Sequence, residues 1–538
     1  MRVRILSRKN TRLDSNKQNI LSLYIEDYKV ISSVKDARKL TEDIFLKSNQ
    51  FIKKFKYKGY GVTWMWFNEI FLLSLKYLEI QELIRKLLEL KPREIYFDGV
   101  DLVYVKIIKM HFDNIRFHGD QKEKASIKII NFIFNSSMFV YSLISIVLYY
   151  LNSKKYVGTY TGDYIYKSTK SDFRLSKLYE EYEQNKINFI EFIRPTSIKN
   201  FYKNIFIRRR LAVYFTSIEY FLNFFVKKSK KRVFIDFQSS ILNSLEKSNN
   251  VLILQTKFME KILRILKIKN FVVISSSSRS APIMLACKGA QINTIGIMHG
   301  LPQRDYAVYE FIESYSDNKK IGCDAYGVWS EHYKKYFQNY SKILSKENIF
   351  VSGLLRPVDK LKLKTFHTIT KNKIKILIIV EPLVDQSEII PYLKKIFFNE
   401  NFFIGFKLRP MSSGFDKNMT EIENQIPQAK ACKKHFGRIE SAANNYDILI
   451  GSHSTAVIEA SLFNKLSLLV KTNKWGDYFD LNTLVPNSGL FIESPEDICK
   501  AIISRIDNEK KLKTIDTIRE HFFGENNNGA KWVVNQIR

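Results

Sequence analysis

YDILIGSHSTAVIEASLFNKLSLLV, residues 446–470, reads as a buried strand, a polar turn, a short helix and a second buried strand. YDILIG and LSLLV are continuous apolar runs rather than alternating ones, the pattern of strands covered on both faces of a parallel sheet. Between them Ser452, His453, Ser454 and Thr455 form the turn, and the helix opens at Ala456. IKILIIV (374–380) and FFIGFKL (402–408), upstream, read as two more strands of this kind.

An earlier series has the same texture: VLIL (251–254), FVVIS (271–275), TIGIM (294–298), AYGVW (325–329) and IFVSG (349–353). The basic stretch KLKLKTFHTITKNK (360–373) separates the two series and reads as a linker. Two β/α series predict an α/β protein of two Rossmann-like domains facing across a cleft, residues 1–362 and 363–538. Before the first series the pattern is mostly helical, clearest in TWMWFNEIFLLSLKYLEIQELIRKLLEL (63–90). EIYFDGVDLVYVKIIKMHFDNIRF (94–117) reads as strand, helix, strand, and a helical insertion is expected over about 120–250.

The 538 residues are too many for one hydrophobic core. Apolar residues make up 45% and charged residues 26%, so the chain can fold throughout. Its 86 basic and 54 acidic residues leave a formal charge of +32, a field that attracts nucleic acid, anionic lipid or phosphorylated substrates without choosing among them. No helix-turn-helix, zinc finger or RNP pattern is legible, so nucleic acid is not the expected partner. Cys287, Cys323, Cys432 and Cys499 are scattered, which fits a reducing compartment rather than a disulfide framework or zinc site. The basic N-terminus, MRVRILSRKN, has no apolar run behind it, so no signal peptide is expected.

Two segments bear on membranes. Residues 129–153 carry no charge and are long enough to span, yet Asn131, Asn135, Ser142 and Ser145 share one helical face. A core helix, a membrane-surface helix and a span all fit. In 208–232, Leu211, Tyr214, Phe215, Ile218, Leu222 and Phe225 recur at helical spacing between RRR and KKSKKR. That pattern suits a helix docking on an anionic bilayer or an ordinary core-facing helix.

Ligands of open α/β sheets bind beyond the carboxyl ends of the strands. At one such end the Ser452–Thr455 turn offers hydroxyls and helix N-terminal N–H groups to a diphosphate, with Glu459 one turn on, placed to accept from a ribose hydroxyl. The same residues also suit plain helix capping. FKLRP (406–410) brings Lys407 and Arg409 to a strand end, where cations can neutralise a leaving phosphate or simply be solvated. IGIMHGLPQRDY (295–306) ends a strand in His299-Gly300, a candidate base, beside the polar turn of SSSSRSAPIM (275–284). Glu381, in EPLVDQ (381–386), and Asp98, after EIYF, are candidate cleft carboxylates. No DxD metal motif stands at a strand end.

In this order IGIMHG, AYGVWSEHYKKYF, IFVSGLLRPVD, FKLRP and SHSTAVIEASLFNKLSLLV resemble the bacterial capsule and O-antigen glycosyltransferases of the GT-B fold. That group is related broadly to CDP-glycerol glycerophosphotransferases and sialyl- and Kdo-transferase-like enzymes. The resemblance covers about residues 270–470. It implies a nucleotide-sugar donor on the C-terminal domain, held by Lys407, Arg409, Ser452, His453, Ser454, Thr455, Glu459 and Glu381. It implies a glycan or lipid-linked glycan acceptor on the N-terminal domain near His299. Catalysis would fall to Arg409 and to His299 or Asp98, with no metal or other cofactor, at the cytoplasmic face of an anionic membrane. Where the family often has His-Pro this chain has Arg409-Pro410, which leaves the nucleotide open. Transfer of glycerol phosphate from CDP-glycerol, and a non-catalytic membrane-associated or nucleic-acid-binding protein, are the alternatives.

Overall fold

The computed structural model describes the chain except residues 8–19, 113–114, 119–124, 153, 163–171, 173, 195–197, 208–210, 227–235, 274–279, 307, 356–372, 382, 409–412, 437–438, 505–507, 526–527 and 538. The expected linker at 360–373 lies, but for its last residue, outside the described residues. So do Arg409, both basic clusters around 211–226 and residues 275–279 of the 275–284 stretch.

Among the described residues, three parallel sheets organise the fold. The first unit contains β1 (Arg2–Leu6), β2 (Leu21–Tyr24), a small hairpin β3–β4 (Lys56–Tyr57 and Tyr60–Gly61), β5 (Glu94–Asp98) and β6 (Arg116–His118), and its sheet runs β2-β1-β5-β6. The second sheet takes β7 (Val157–Gly162), β8 (Phe189–Arg194), β9 (Ala212–Tyr214), β10 (Asn270–Val273), β11 (Asn293–Ile297), β12 (Ala325–Val328) and β13 (Ile349–Val351). Its order, β9-β8-β7-β10-β11-β12-β13, is the doubly wound 3-2-1-4-5-6 order with one strand added. The third takes β14 (Ile374–Ile379), β15 (Phe402–Lys407), β16 (Lys433–His435), β17 (Ile448–Gly451), β18 (Leu466–Val470) and β19 (Phe491–Ile492), and repeats that order as β16-β15-β14-β17-β18-β19. The second and third sheets are two Rossmann-like units in the GT-B arrangement.

The third sheet follows the apolar runs: Ile376, Leu377, Leu449 and Leu468 are fully buried, as strands covered on both faces require. The second sheet differs from the expectation in two places. The stretch expected as a helical insertion contributes β7, β8 and β9, which complete the sheet. VLIL is not a strand but part of the 29-residue helix Phe237–Ile265. There Val251 and Leu252 are buried while Leu254 is 37% exposed, the one-sided burial of a helix. The N-terminal 90 residues hold β1 and β2 as well as the expected helices. Strand β1 has mixed texture, with exposed Arg2 and buried Val3 and Ile5, and therefore looks unlike the other parallel strands.

Within 211–226 the buried apolar residues face the core of the protein. Ala212–Tyr214 is an edge strand, and Phe215 and Ile218, on the turn and helix after it, lie in the main core at 1% and 4% exposure. The helix Ala125–Leu151 covers that edge: Tyr214 N–H donates to Ser142 Oγ at 2.9 Å, and Ser142 and Ser145 are buried.

The chain end stitches the two Rossmann-like units together. Helices Asn508–Phe523 and Gly529–Ile537 return from the third sheet to the second. Gly529 N–H donates to Leu354 O at 2.9 Å, and Ala530 and Val533 pack with Val157, Val272 and Ile295. At this seam the rings of His332 and His521 lie 3.6 Å apart. Burial and the neighbouring imidazole push His521 down to about 4. A histidine whose folded pKa lies below its unfolded value gives stability that is lost as pH falls. The unfolding midpoint is expected to drop between about pH 6.5 and 4, and His521→Asn is expected to flatten that slope; thermal unfolding across this range measures both.

Candidate active site

The switch point of the third sheet lies between β14 and β17, whose carboxyl ends carry Glu381 and the Ser452–Thr455 turn. Glu381 is 4% exposed and organises the turn. Its Oε2 accepts from Ser452 N–H at 2.9 Å and Ser452 Oγ–H at 2.6 Å, and its Oε1 accepts from His453 N–H at 3.0 Å and from Ser454 N–H. The backbone donors expected to meet a diphosphate are thus directed to a protein carboxylate. Ser454 is the N-cap, its Oγ accepting from Ala456 N–H at 3.3 Å, and the helix it opens is only Thr455–Glu459. Glu459 ends that helix and is half-buried.

His453 projects from the turn as a flat, nearly buried ring. It stacks on Trp475 with centroids 3.8 Å apart and planes 5° apart, and Tyr478 lies edge-on at 6.0 Å. Burial lowers its pKa despite the nearby Glu381 carboxyl, so the ring is neutral near pH 7. Ser452 Oγ lies 3.1 Å from its Nδ1. A neutral imidazole held this way can give or take one hydrogen bond from a ligand.

Strand β11 brings the second unit to the same place. Gly300 has φ +80°, a backbone shape open to glycine at little cost, and a Cβ there would stand 3.4 Å from Thr455 Oγ1. Leu301 N–H donates to Thr455 Oγ1 at 3.2 Å, and Tyr478 O–H donates to Leu301 O at 3.3 Å. The two Rossmann-like units therefore meet at their strand ends, with exposed His299 beside the contact. The loop after it is braced by Arg38, whose Nη1 donates to Tyr306 O at 2.7 Å, while Tyr306 packs on Trp475 with centroids 5.0 Å apart.

Glu381, Ser452, His453, Ser454 and Thr455 come together, and His299 directly precedes the Gly300–Leu301 pair that meets Thr455 from the other unit. Lys407 ends β15 with 6% exposure, its Nζ donating to Leu408 O at 2.6 Å. Asp98 does not join the turn: Arg4 Nη2 donates to its Oδ2, and it lines a separate cavity. Trp475, Tyr478 and Tyr306 were not legible as site residues. The only sequence signal was the aromatic density of KWGDYFD (474–480), which follows the last long strand.

No family model and no curated protein matches the sequence. Solved structures similar to the chain include the UDP-GlcNAc 2-epimerase of Neisseria meningitidis bound to UDP-GlcNAc, at 13% identity and a TM-score of 0.44, covering 71% of this chain and 99% of that one. MurG of Acinetobacter baumannii is 11% identical with a TM-score of 0.42, over 71% and 99% of the two chains. A glycosyltransferase of Rickettsia africae is 12% identical with a TM-score of 0.41, over 71% and 98%. At these scores the likenesses add nothing to what the order and direction of the sheets already show.

Glu381→Ala leaves four donors of the turn without their acceptor. The expected loss of stability is at least about 3 kcal/mol, because buried donors are stranded together. Glu381→Gln restores the shape but only one acceptor oxygen, so it is expected to fall between. Urea unfolding followed by tryptophan fluorescence ranks the three proteins.

Proposed function

We propose that this protein is a glycosyltransferase that moves a sugar from a nucleotide-sugar donor to a growing surface glycan at the cytoplasmic face of the membrane. The observation that carries the reading is the meeting of two doubly wound sheets at their carboxyl ends, joined at Leu301 and Thr455. An open α/β sheet binds its ligand at such an end, and two opposed ends hold two reactants against each other.

The donor belongs on the C-terminal unit. Thr455, Ser454 and Glu459 offer polar contacts to the nucleotide, while Glu381 keeps their turn in shape. A leaving diphosphate carries more charge than hydroxyls and dipoles offset, so Lys407 and Arg409 are assigned to it. The acceptor hydroxyl approaches from the second sheet, where His299 takes its proton as the bond to the anomeric carbon forms. Arg409→Ala is expected to lower sugar transfer by tenfold to about a thousandfold, the range for losing one charge-stabilising donor. Arg409→Lys recovers part of that loss, since it lacks the planar fork. Full turnover by Arg409→Ala, measured as nucleotide release from a panel of sugar nucleotides, would move the donor site elsewhere.

Membrane association is assigned to the helix Ala125–Leu151, whose stretch Ile130–Leu151 is long and apolar enough to cross a bilayer. It is amphipathic in the reverse sense. Ser142 and Ser145 face the protein, while Ile133, Val140, Ile144 and Val147 are each more than half exposed. Nearby, Phe201 of the helix Ile198–Ile207 packs on Phe134, and Phe206 of the same helix is 85% exposed. A helix tied along one side to β9 is not surrounded by lipid, so it lies in the interface with its apolar face inward to the acyl region. The +32 charge favours an anionic leaflet, and the scattered positions of the four cysteines suit the reducing side. Replacing Ile133, Val140, Ile144 and Val147 by Ser is expected to abolish flotation with anionic vesicles. Unchanged flotation would remove this helix as the anchor.

A further inference from the structure

The described residues also line a wide opening apart from the turn of Glu381. It is a cavity of about 1150 Å³ between the first sheet and the third. Its floor is the carboxyl end of the first sheet at the crevice between β1 and β5, where Ser7 and Asp98 stand. The strand order β2-β1-β5-β6 places the reversal of winding there, the position at which such sheets bind ligands. Its opposite wall is the segment Leu383–Gln386, directly after Glu381, together with Lys474. Only Trp475, next along the chain, separates Lys474 from the His453 ring it stacks on. The cavity therefore adjoins the proposed donor turn.

Its chemistry opposes the charge of the chain. Seven carboxylates and five lysines line it, in a protein of formal charge +32. Many are already joined. Lys29 Nζ lies 3.3 Å from Asp385, which it and the Ser387 hydroxyl and N–H hold at about 2 against the upward pull of burial. Glu79, also buried, is kept below the usual carboxylate range by Lys76, Tyr104 and Lys474. Lys76 Nζ is 2.8 Å and Lys474 Nζ 3.4 Å from that carboxylate. Fixed pairs of this kind present acceptor and donor side by side, and a hydroxyl can donate to the one while accepting from the other. Between them stand apolar surfaces such as Phe97, Val100 and Leu72. A slight excess of carboxylates turns away a phosphate or a sugar acid. A volume above the roughly 300–1,000 Å³ of a usual small-molecule pocket suits more than one sugar ring.

We infer that this cavity is a binding site for a neutral, hydroxyl-rich oligosaccharide, with the N-terminal four-stranded unit serving as the module that recognises it. Calling that oligosaccharide the acceptor rests on the glycosyl-transfer reading; the site itself does not. Asp98 is then a ligand-binding residue and not a base.

The test uses the full chain and three neutral trisaccharides (maltotriose, chitotriose and mannotriose), with 3′-sialyllactose as the anionic comparator. Binding is measured by calorimetry and saturation-transfer NMR. Leu72→Trp and Val103→Trp fill the cavity from positions 45% and 39% exposed, where a larger ring is tolerated by the fold. At least one neutral trisaccharide is expected to bind, each variant to weaken it at least tenfold, and sialyllactose to bind more weakly than the neutral sugar. UDP, CDP and GDP probe the donor turn, and any nucleotide affinity is expected to be unchanged in both variants. Trisaccharide binding that is lost on filling, with no nucleotide bound by any variant, upholds the cavity and overturns glycosyl transfer. Nucleotide binding with no neutral trisaccharide bound, or with trisaccharide binding indifferent to both tryptophans, overturns the cavity and leaves glycosyl transfer standing. Preferred binding of sialyllactose overturns the assignment to neutral sugars.

Discussion

Glu381 is nearly removed from water, and four donors of the Ser452–Ser454 turn converge on its two oxygens. Burying a carboxyl group is costly unless its acceptor capacity is met, and burying three consecutive N–H groups is equally costly without acceptors. Each side solves the other's problem, so the turn has one stable shape. That shape sets the plane of His453, which sets the stack on Trp475. It also presents Thr455 Oγ1 to Leu301 of the other unit. The meeting of the two Rossmann-like units thus depends on an interaction made wholly within one of them.

Around this point the molecule is tied together by contacts that cross between units. Lys29 reaches Asp385, Val34 N–H donates to Lys474 O, and Arg38 braces the loop after His299. The terminal helices return to the second sheet through Leu354. These ties surround the cleft and leave its interior to polar side chains. Function is assigned to that interior because the strand ends, and not the sheet faces, are the surfaces left uncovered.

Four of the third sheet's six described strands were legible, because IKILIIV, FFIGFKL, YDILIG and LSLLV are uninterrupted apolar runs, whereas the short edge strands β16 and β19 carry no such run. The second sheet was half legible. GTYTG (158–162) and IEFIR (190–194) mix polar residues into buried strands: Thr159, Thr161 and Glu191 are all buried, and Tyr179 O–H donates to Glu191 at 2.7 Å. Hydropathy cannot register a buried carboxylate whose partner comes from another element. VLIL failed for the converse reason, since four apolar residues do not distinguish a buried strand from a buried helical turn.

The residue types at the strand ends were determined by sequence alone: His299, Glu381 and the Ser452–Thr455 turn each follow a readable apolar strand. What each does was decided by tertiary structure. Glu381 and the turn residues it holds are 71 to 73 positions apart in the chain, and only the neighbouring of β14 and β17 directs the N–H groups to a carboxylate instead of to solvent. Asp98 also follows a strand, but that strand belongs to a separate sheet, which carries it to a different opening. The uncharged segment 129–153, most of it in the helix Ala125–Leu151, shows the same division. Its lack of charge and its polar stripe are sequence properties, whereas the direction of the stripe depends on the bond from Tyr214 N–H to Ser142. Local pattern sets what a segment can bury; long-range pairing decides which groups it meets, because hydrogen bonds and charges act only on the neighbours the fold supplies.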